Sequence, residues 1–135
     1  MFTVLTVAFL QASAPPFRTL DKGAQTSVAS AREVTARSDA EWQAMWRQHA
    51  AGRPVPPVDF TREMVVGVFL GSRPTAGYAV DIVGARDEQG ALVIQYRETR
   101  PSPDRITAQV ITTPYHLIAV PQHPDAVRFE KIESR

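Results

Sequence analysis

The sequence predicts an α+β domain in which one amphipathic helix, at about residues 39–50, packs on a bent β-structure of seven to eight strands. This β-structure is expected to be mostly antiparallel, either a sheet or sandwich or a partial barrel. Three observations predict the class. Residues 65–70 form a short apolar run, rich in β-branched residues, that is typical of a strand buried on both faces. Other short segments alternate apolar and polar residues between turns, which favours antiparallel neighbours. One segment has helical periodicity.

Composition indicates a single domain without a strongly charged partner. The chain has 135 residues, an ordinary length for one domain. Its 15 Lys and Arg nearly balance 14 Asp and Glu, and a net charge of +1 gives no long-range attraction for nucleic acid or an anionic membrane. The chain has no cysteine, which excludes disulfides, thiolate metal sites and a thiol nucleophile.

Residues 1–14 have two interpretations. The apolar stretch 2–10, followed by Ala12, Ser13 and Ala14, resembles a signal peptide with its cleavage site, although no basic residue precedes it and Pro15 follows it. Alternatively, its threonines and valines form an N-terminal strand. The first interpretation predicts export to the periplasm, cell envelope or extracellular space, and the second is compatible with the cytoplasm. Nine apolar residues are too few to cross a bilayer, which takes about 20.

The single domain is expected over residues 15–135. Strands are predicted at 17–23 and 25–37, and Ser38 with Glu41 forms a capping box that starts the helix. Four larger side chains lie on one helix face, at Trp42, Met45, Trp46 and His49. We expect this face to be core, in preference to a ligand platform. Gly52 ends the helix.

A C-terminal core is expected over about 63–132. Proline-rich residues 53–57 cross to the apolar strand, and loops are predicted at 86–90 and 100–104. Strands are predicted at 65–70, 78–83, 91–98, 106–111, 115–120 and 127–132.

The sequence shows no recognisable catalytic, cofactor or metal motif. His49, His116 and His123 lie in different elements without the spacing of a metal pair. Asp81 and Glu98 are expected to be solvated, outward-facing carboxylates. Catalysis needs a nucleophile or base with an orienting partner, and the sequence nominates no such set. We therefore expect a protein that is not an enzyme and uses neither cofactor nor metal.

One turn combines rigidity with an aromatic ring. Residues 73–78 contain a fixed proline, a hydroxyl, a flexible glycine and a tyrosine directly after the buried strand, which suits a stiff binding loop. The alternative, favoured by residue chemistry alone, is a structural corner. The candidate partner-binding residues are Arg73, Pro74, Thr75, Ala76, Gly77 and Tyr78, with Pro114 and Tyr115 of a second corner.

The same residues resemble the C-terminal domain of the protease complex subunit PrcB family. The resemblance lies in residues 65–71, in Pro74-Thr-Ala-Gly-Tyr78 and in Thr113-Pro-Tyr115, while residues 17–23 and 41–49 are similar to what precedes that domain. It implies a non-catalytic, exported bacterial protein that associates with or stabilises an exported protease. The founding member is a lipoprotein, whereas this chain lacks the cysteine that carries the lipid.

A second, looser similarity is to chagasin-type inhibitors of cysteine proteases, which have an immunoglobulin-like fold. Pro74, Thr75, Gly77 and Tyr78 match their Asn-Pro-Thr-Thr-Gly-Tyr/Phe loop, while Arg73 stands at the Asn position. Three functions follow as hypotheses: an accessory domain that binds a protease, a direct protease inhibitor, and a small-molecule or peptide-binding pocket lined by Trp42, Trp46 and Tyr78. The sequence does not indicate an oligomeric state.

Overall fold

The computed structural model describes residues 17–133. The predicted segment 1–14, signal peptide or strand, lies outside the described residues. Within them the chain forms seven strands and one helix. In chain order these are β1 (Arg18–Gly23), β2 (Arg32–Ala36), α1 (Asp39–Ala50), β3 (Glu63–Phe69), β4 (Ala79–Glu88), β5 (Ala91–Thr99), β6 (Tyr115–Pro121) and β7 (Ala126–Ile132).

The strands form two sheets packed face to face, with the helix on the outer face of the first. The first sheet has the order β1-β6-β3-β2 and is antiparallel throughout. The second has the order β4-β5-β7. The predicted α+β class is confirmed as a sandwich with one helix, and no closed barrel forms among residues 17–133.

Strand β3 is the centre of both cores, as the apolar run 65–70 predicts. Its side chains alternate between the layers: Val66 and Val68 lie in the core between the sheets, and Val65 and Phe69 lie in the core beneath the helix. Gly67 lets β6 approach closely, because a Cβ there would lie 2.2 Å from Leu117 Cδ2. The interruption of the apolar run by glycine is therefore a packing requirement.

The helix begins and packs as its sequence predicts. Ser38 Oγ accepts from the Glu41 amide at 3.2 Å, and Glu41 Oε1 accepts from the Arg37 amide at 2.7 Å, which completes the capping box. Trp42 and Trp46 are only 1% and 2% exposed, so they are core residues and cannot serve as a ligand platform. With 12 residues, α1 is too short to span a bilayer. Residues 17–133 contain no other α-helix.

The predicted strand 25–37 is confirmed only over residues 32–36, and two details of the second sheet also differ from the predictions. The default of antiparallel pairing is wrong for β7, which pairs with β5 in parallel because the chain leaves β6 in one sheet and crosses to the other. The predicted loop 86–90 is shorter than expected. Gln89 and Gly90 both have positive φ, as in a tight two-residue hairpin turn, so residues 86–88 remain in β4.

Candidate functional site

The candidate site is a turn, residues 71–78, held against a flanking loop, residues 100–114. Backbone bonds join Arg73 N to Thr112 O at 2.7 Å and Thr112 N to Arg73 O at 2.9 Å. Ala76 N donates to Ala108 O at 3.0 Å, and the Thr112 hydroxyl donates to Thr75 O at 2.9 Å. The turn is therefore fixed to the flanking loop at Arg73, Thr75 and Ala76.

A buried ion cluster anchors the turn to the second sheet. The Arg73 guanidinium donates to both oxygens of Glu98, from Nε at 2.7 Å and from Nη2 at 3.1 Å. Lys131 Nζ contacts Glu98 Oε1 at 2.9 Å. The Glu98 side chain is only 4% exposed, so the prediction of a solvated carboxylate is wrong. The hydrogen bonds from Arg73, reinforced by Lys131 and opposed by burial, lower the pKa of Glu98 to about 2.

Two glycines of the turn require their special conformations. Gly71 and Gly77 have φ of 79° and 94°, values that L side chains rarely adopt. A Cβ at Gly77 would also lie 2.8 Å from Pro101 Cβ, and one at Gly71 would lie 2.9 Å from Ala31 N. The structural-corner interpretation therefore describes the backbone of this turn well.

The structure separates the predicted partner-binding residues into accessible and buried ones. Pro74 and Gly77 are exposed, while four others are half-buried, namely Arg73, Thr75, Ala76 and Tyr78. Pro114 and Tyr115 are buried and support the turn from below: Pro114 O accepts from the Leu70 amide at 3.0 Å. Tyr115 belongs to the core beneath the helix.

The flanking loop adds an apolar surface that the sequence pattern does not reveal. Residues 106–111 were predicted to be a strand, and this prediction is wrong, because pairing here is limited to a bridge between Arg73 and Thr112. Ile106 is fully exposed, and Ile111 and Val110 are 66% and 46% exposed. Prolines at 101, 103 and 114 border this segment and indicate a loop. We call Ile106, Val110 and Ile111 the apolar loop surface.

A second cluster of polar side chains lies beneath the helix. Thr26 Oγ1 and His49 Nδ1 are 2.6 Å apart, and His49 Nε2 is 2.8 Å from Asp21 Oδ2. This hydroxyl–imidazole–carboxylate order is found in hydrolases. Here, however, the Thr26 oxygen also accepts from the Val28 amide at 3.1 Å, and the His49 side chain is fully buried. The arrangement ties β1 and the following loop to the end of α1.

His116 joins the two sheets. The Ile82 amide of β4 donates to Nδ1 at 2.8 Å, so Nε2 carries the proton and donates to Thr19 Oγ1 at 2.8 Å. Burial, with a smaller contribution from Lys22 and opposed by Asp81, lowers the pKa of His116 to about 4. Asp81, predicted to be solvated, is half-exposed and pairs with Lys22. The neutral imidazole is thus a structural link.

This link predicts acid sensitivity in the folded protein. Between pH 6.5 and 4 the unfolded chain binds a proton at His116 that the folded chain excludes, so stability falls as the pH falls. We expect a loss of about 1.5 kcal/mol between pH 6.5 and 5 from this group. Urea unfolding across this range measures it. His116→Gln should flatten the dependence, whereas His123→Gln, on a loop side chain, should not; equal slopes for all three proteins would contradict the assignment.

Metal-binding residues are dispersed in the described part of the chain. Residues 17–133 contain no group of three or more His, Cys, Asp or Glu that could hold a metal ion. The three histidines have separate partners: His49 contacts Asp21, His116 contacts Thr19, and His123 contacts Asp87.

Comparison with known proteins finds a family similarity that includes the turn. Residues 64–121 match the family model described as PrcB C-terminal. Neither the curated proteins nor the solved structures gave a match, and the similarity to chagasin-type inhibitors found no support. The matched segment runs from β3 through the turn, β4, β5 and the flanking loop to the end of β6. Residues 64–121 therefore resemble the PrcB C-terminal domain, the family that the motifs around the turn predict.

Proposed function

We propose that this protein is a non-catalytic accessory domain that binds an exported protease through the turn and the apolar loop surface. The family match supports association with a protease complex. The choice of this surface rests on one observation: three large aliphatic side chains are exposed on the loop that is hydrogen-bonded to the turn.

Exposure of this kind is unusual for side chains that serve only the fold. Single exposed apolar residues need no explanation, but neighbouring ones on one loop indicate an interaction site. Here the supporting backbone is fixed by hydrogen bonds and by the Arg73–Glu98 pair. A rigid surface loses little conformational entropy when it binds, which favours affinity.

The residues that border the apolar loop surface indicate the charge of the partner's surface. Arg100 and Arg105 are exposed on the flanking loop, and neither has a carboxylate within 4.0 Å among the described residues. Free guanidinium groups around an apolar centre favour a partner whose apolar patch carries an acidic border. We infer that the protease presents such a patch.

Capture of the partner tests the proposal. The variant Ile106→Asp/Ile111→Asp places two charges on the apolar loop surface without entering the core. Val83→Asp is the matched control, since Val83 is 43% exposed on β4, outside the turn and the flanking loop. Exposed substitutions of this kind typically change stability by less than about 0.5 kcal/mol. We expect the double variant to recover at least tenfold less protease from the native envelope fraction, with Val83→Asp equal to wild type.

The purified partner then decides what binding does. If the protein stabilises the protease, its addition slows thermal inactivation while activity persists. Loss of proteolytic activity at micromolar protein would instead identify an inhibitor. Equal recovery of the protease by wild type and the double variant would contradict the proposed surface. Gly77→Arg is a poor probe, because positive φ and contact with Pro101 make it disturb the turn itself.

A further inference from the structure

An apolar groove lies on the opposite side of the first sheet from the second sheet, between β2 and α1. It has a volume of about 420 Å³, within the range of about 300–1,000 Å³ found for ligand sites. Its floor and walls are apolar and come from Val28, Val34, Ala44, Met45 and Phe69. None of these residues belongs to the turn or to the flanking loop.

The strand that forms one wall of this groove is a sheet edge. Strand β2 pairs with β3 on one side and is the last strand of its sheet, with no strand on its other side among residues 17–133. The outward N–H and C=O groups of an edge strand can pair with an added chain. An edge strand beside a helix, with an apolar groove between them, presents both requirements for strand addition: backbone pairing and pockets for alternate side chains.

Opposite charges lie at the two ends of the groove. Arg32, at the start of β2, reaches Gln48 of α1 at 2.9 Å, and it has no carboxylate within 4.0 Å among the described residues. Glu41, at the other end, accepts from the Arg37 amide and forms no ion pair in the described segment. Only two residues join β2 to α1, so the chain reverses direction there and the helix runs antiparallel to the strand. The groove thus has a positive and a negative end.

We propose that this groove binds an extended apolar segment of a partner protein, which adds to β2 as an antiparallel strand. Antiparallel addition places the start of the segment near Glu41 and its end near Arg32, so the matching segment begins with a basic residue and ends with an acidic one. Alternate β-branched side chains between them fill the groove. This site is separate from the apolar loop surface.

Two synthetic peptides test the proposal with the full chain. The matched peptide is acetyl-Lys-Thr-Val-Thr-Val-Thr-Glu-amide, whose Lys, Val, Val and Glu share one face. The control replaces both charged residues with Gln. Two partly exposed ion pairs should make the matched peptide bind about two- to thirtyfold tighter. Amide chemical shifts should change along β2 and α1.

Two protein variants localise the binding. Ala44→Trp fills the groove from an exposed helix position and should weaken the matched peptide at least tenfold. Gln43→Trp makes a similar change on the opposite side of the helix and should bind like wild type. Equal affinities for the two peptides would overturn the proposal, as would an Ala44→Trp protein that binds the matched peptide like wild type. Changes in the amide chemical shifts along β2 when the protein alone is concentrated would also overturn it, because they would indicate a second copy of the chain as the occupant. None of these outcomes depends on the apolar loop surface.

Discussion

Replacing Trp46 with alanine should lower the free energy of unfolding by about 3–5 kcal/mol, the range for removing a buried indole. Trp46 is 2% exposed and packs edge-on against Trp42, with ring centroids 5.4 Å apart. Its Nε1 donates to Arg53 O at 2.8 Å, which ties the proline-rich crossing to the helix. The substitution therefore removes both packing and a backbone contact.

Urea unfolding followed by circular dichroism measures this loss. Gln43→Ala, an exposed change on the same helix, is the control and should shift the free energy of unfolding by less than about 0.5 kcal/mol. A loss of less than about 1.5 kcal/mol for Trp46→Ala would show that the helix contributes little to the core. This loss is a large fraction of the total, because the free energy of unfolding of a single domain is only about 5–15 kcal/mol.

The helix and the central strand were predictable because their signals are local. Ser38 and Glu41 lie three residues apart and cap the same turn, and the two tryptophans lie on one helix face. The run 65–70 is apolar on both faces, and only a strand between two layers satisfies it. Each signal is contained within one element, so no knowledge of distant contacts is needed.

The apolar loop surface was not predictable in the same way. Ile106, Val110 and Ile111 have the composition of a strand, and only the absence of a neighbouring strand leaves them exposed. That absence is a property of the topology, since the chain must pass from β5 in one sheet to β6 in the other. The nearby prolines limit strand length but do not say which side chains reach solvent.

Glu98 shows a different limit of prediction from the sequence. On β5 it lies on the same face as the buried Leu92 and Ile94, so only its charge favoured a solvated position, and Arg73 from the turn and Lys131 from β7 both reach it. These partners are 25 and 33 residues away in sequence, so local periodicity carries no information about them. The turn and the second sheet are consequently coupled through one carboxylate, and the candidate binding surface depends on a residue that no partner would touch.

Glu98→Gln should therefore lower the free energy of unfolding at pH 7 by about 2–4 kcal/mol, because it leaves the Arg73 guanidinium and the Lys131 ammonium without their shared counter-charge. Glu88→Gln is the matched control, since Glu88 pairs with Arg86 at 2.6 Å on the exposed part of β4. An exposed pair contributes about 0–1 kcal/mol. Urea unfolding of both variants at pH 7 gives the comparison, and equal losses would show that burial adds nothing to the Arg73–Glu98 pair.

The pH dependence of the same variant separates the charge of Glu98 from its packing. The folded-state pKa of about 2 lies below the ordinary value of 4.5, so the stabilisation from this carboxylate is present above pH 4.5 and is lost as the pH falls through 2. Wild type should lose about 3 kcal/mol from this group over that window, and Glu98→Gln should not. Most of this window lies below the one assigned to His116, so the two effects are distinguishable. Faster amide exchange at Arg73 and Ala76 in Glu98→Gln would show that the carboxylate also holds the turn in place, whereas unchanged exchange would confine its role to global stability.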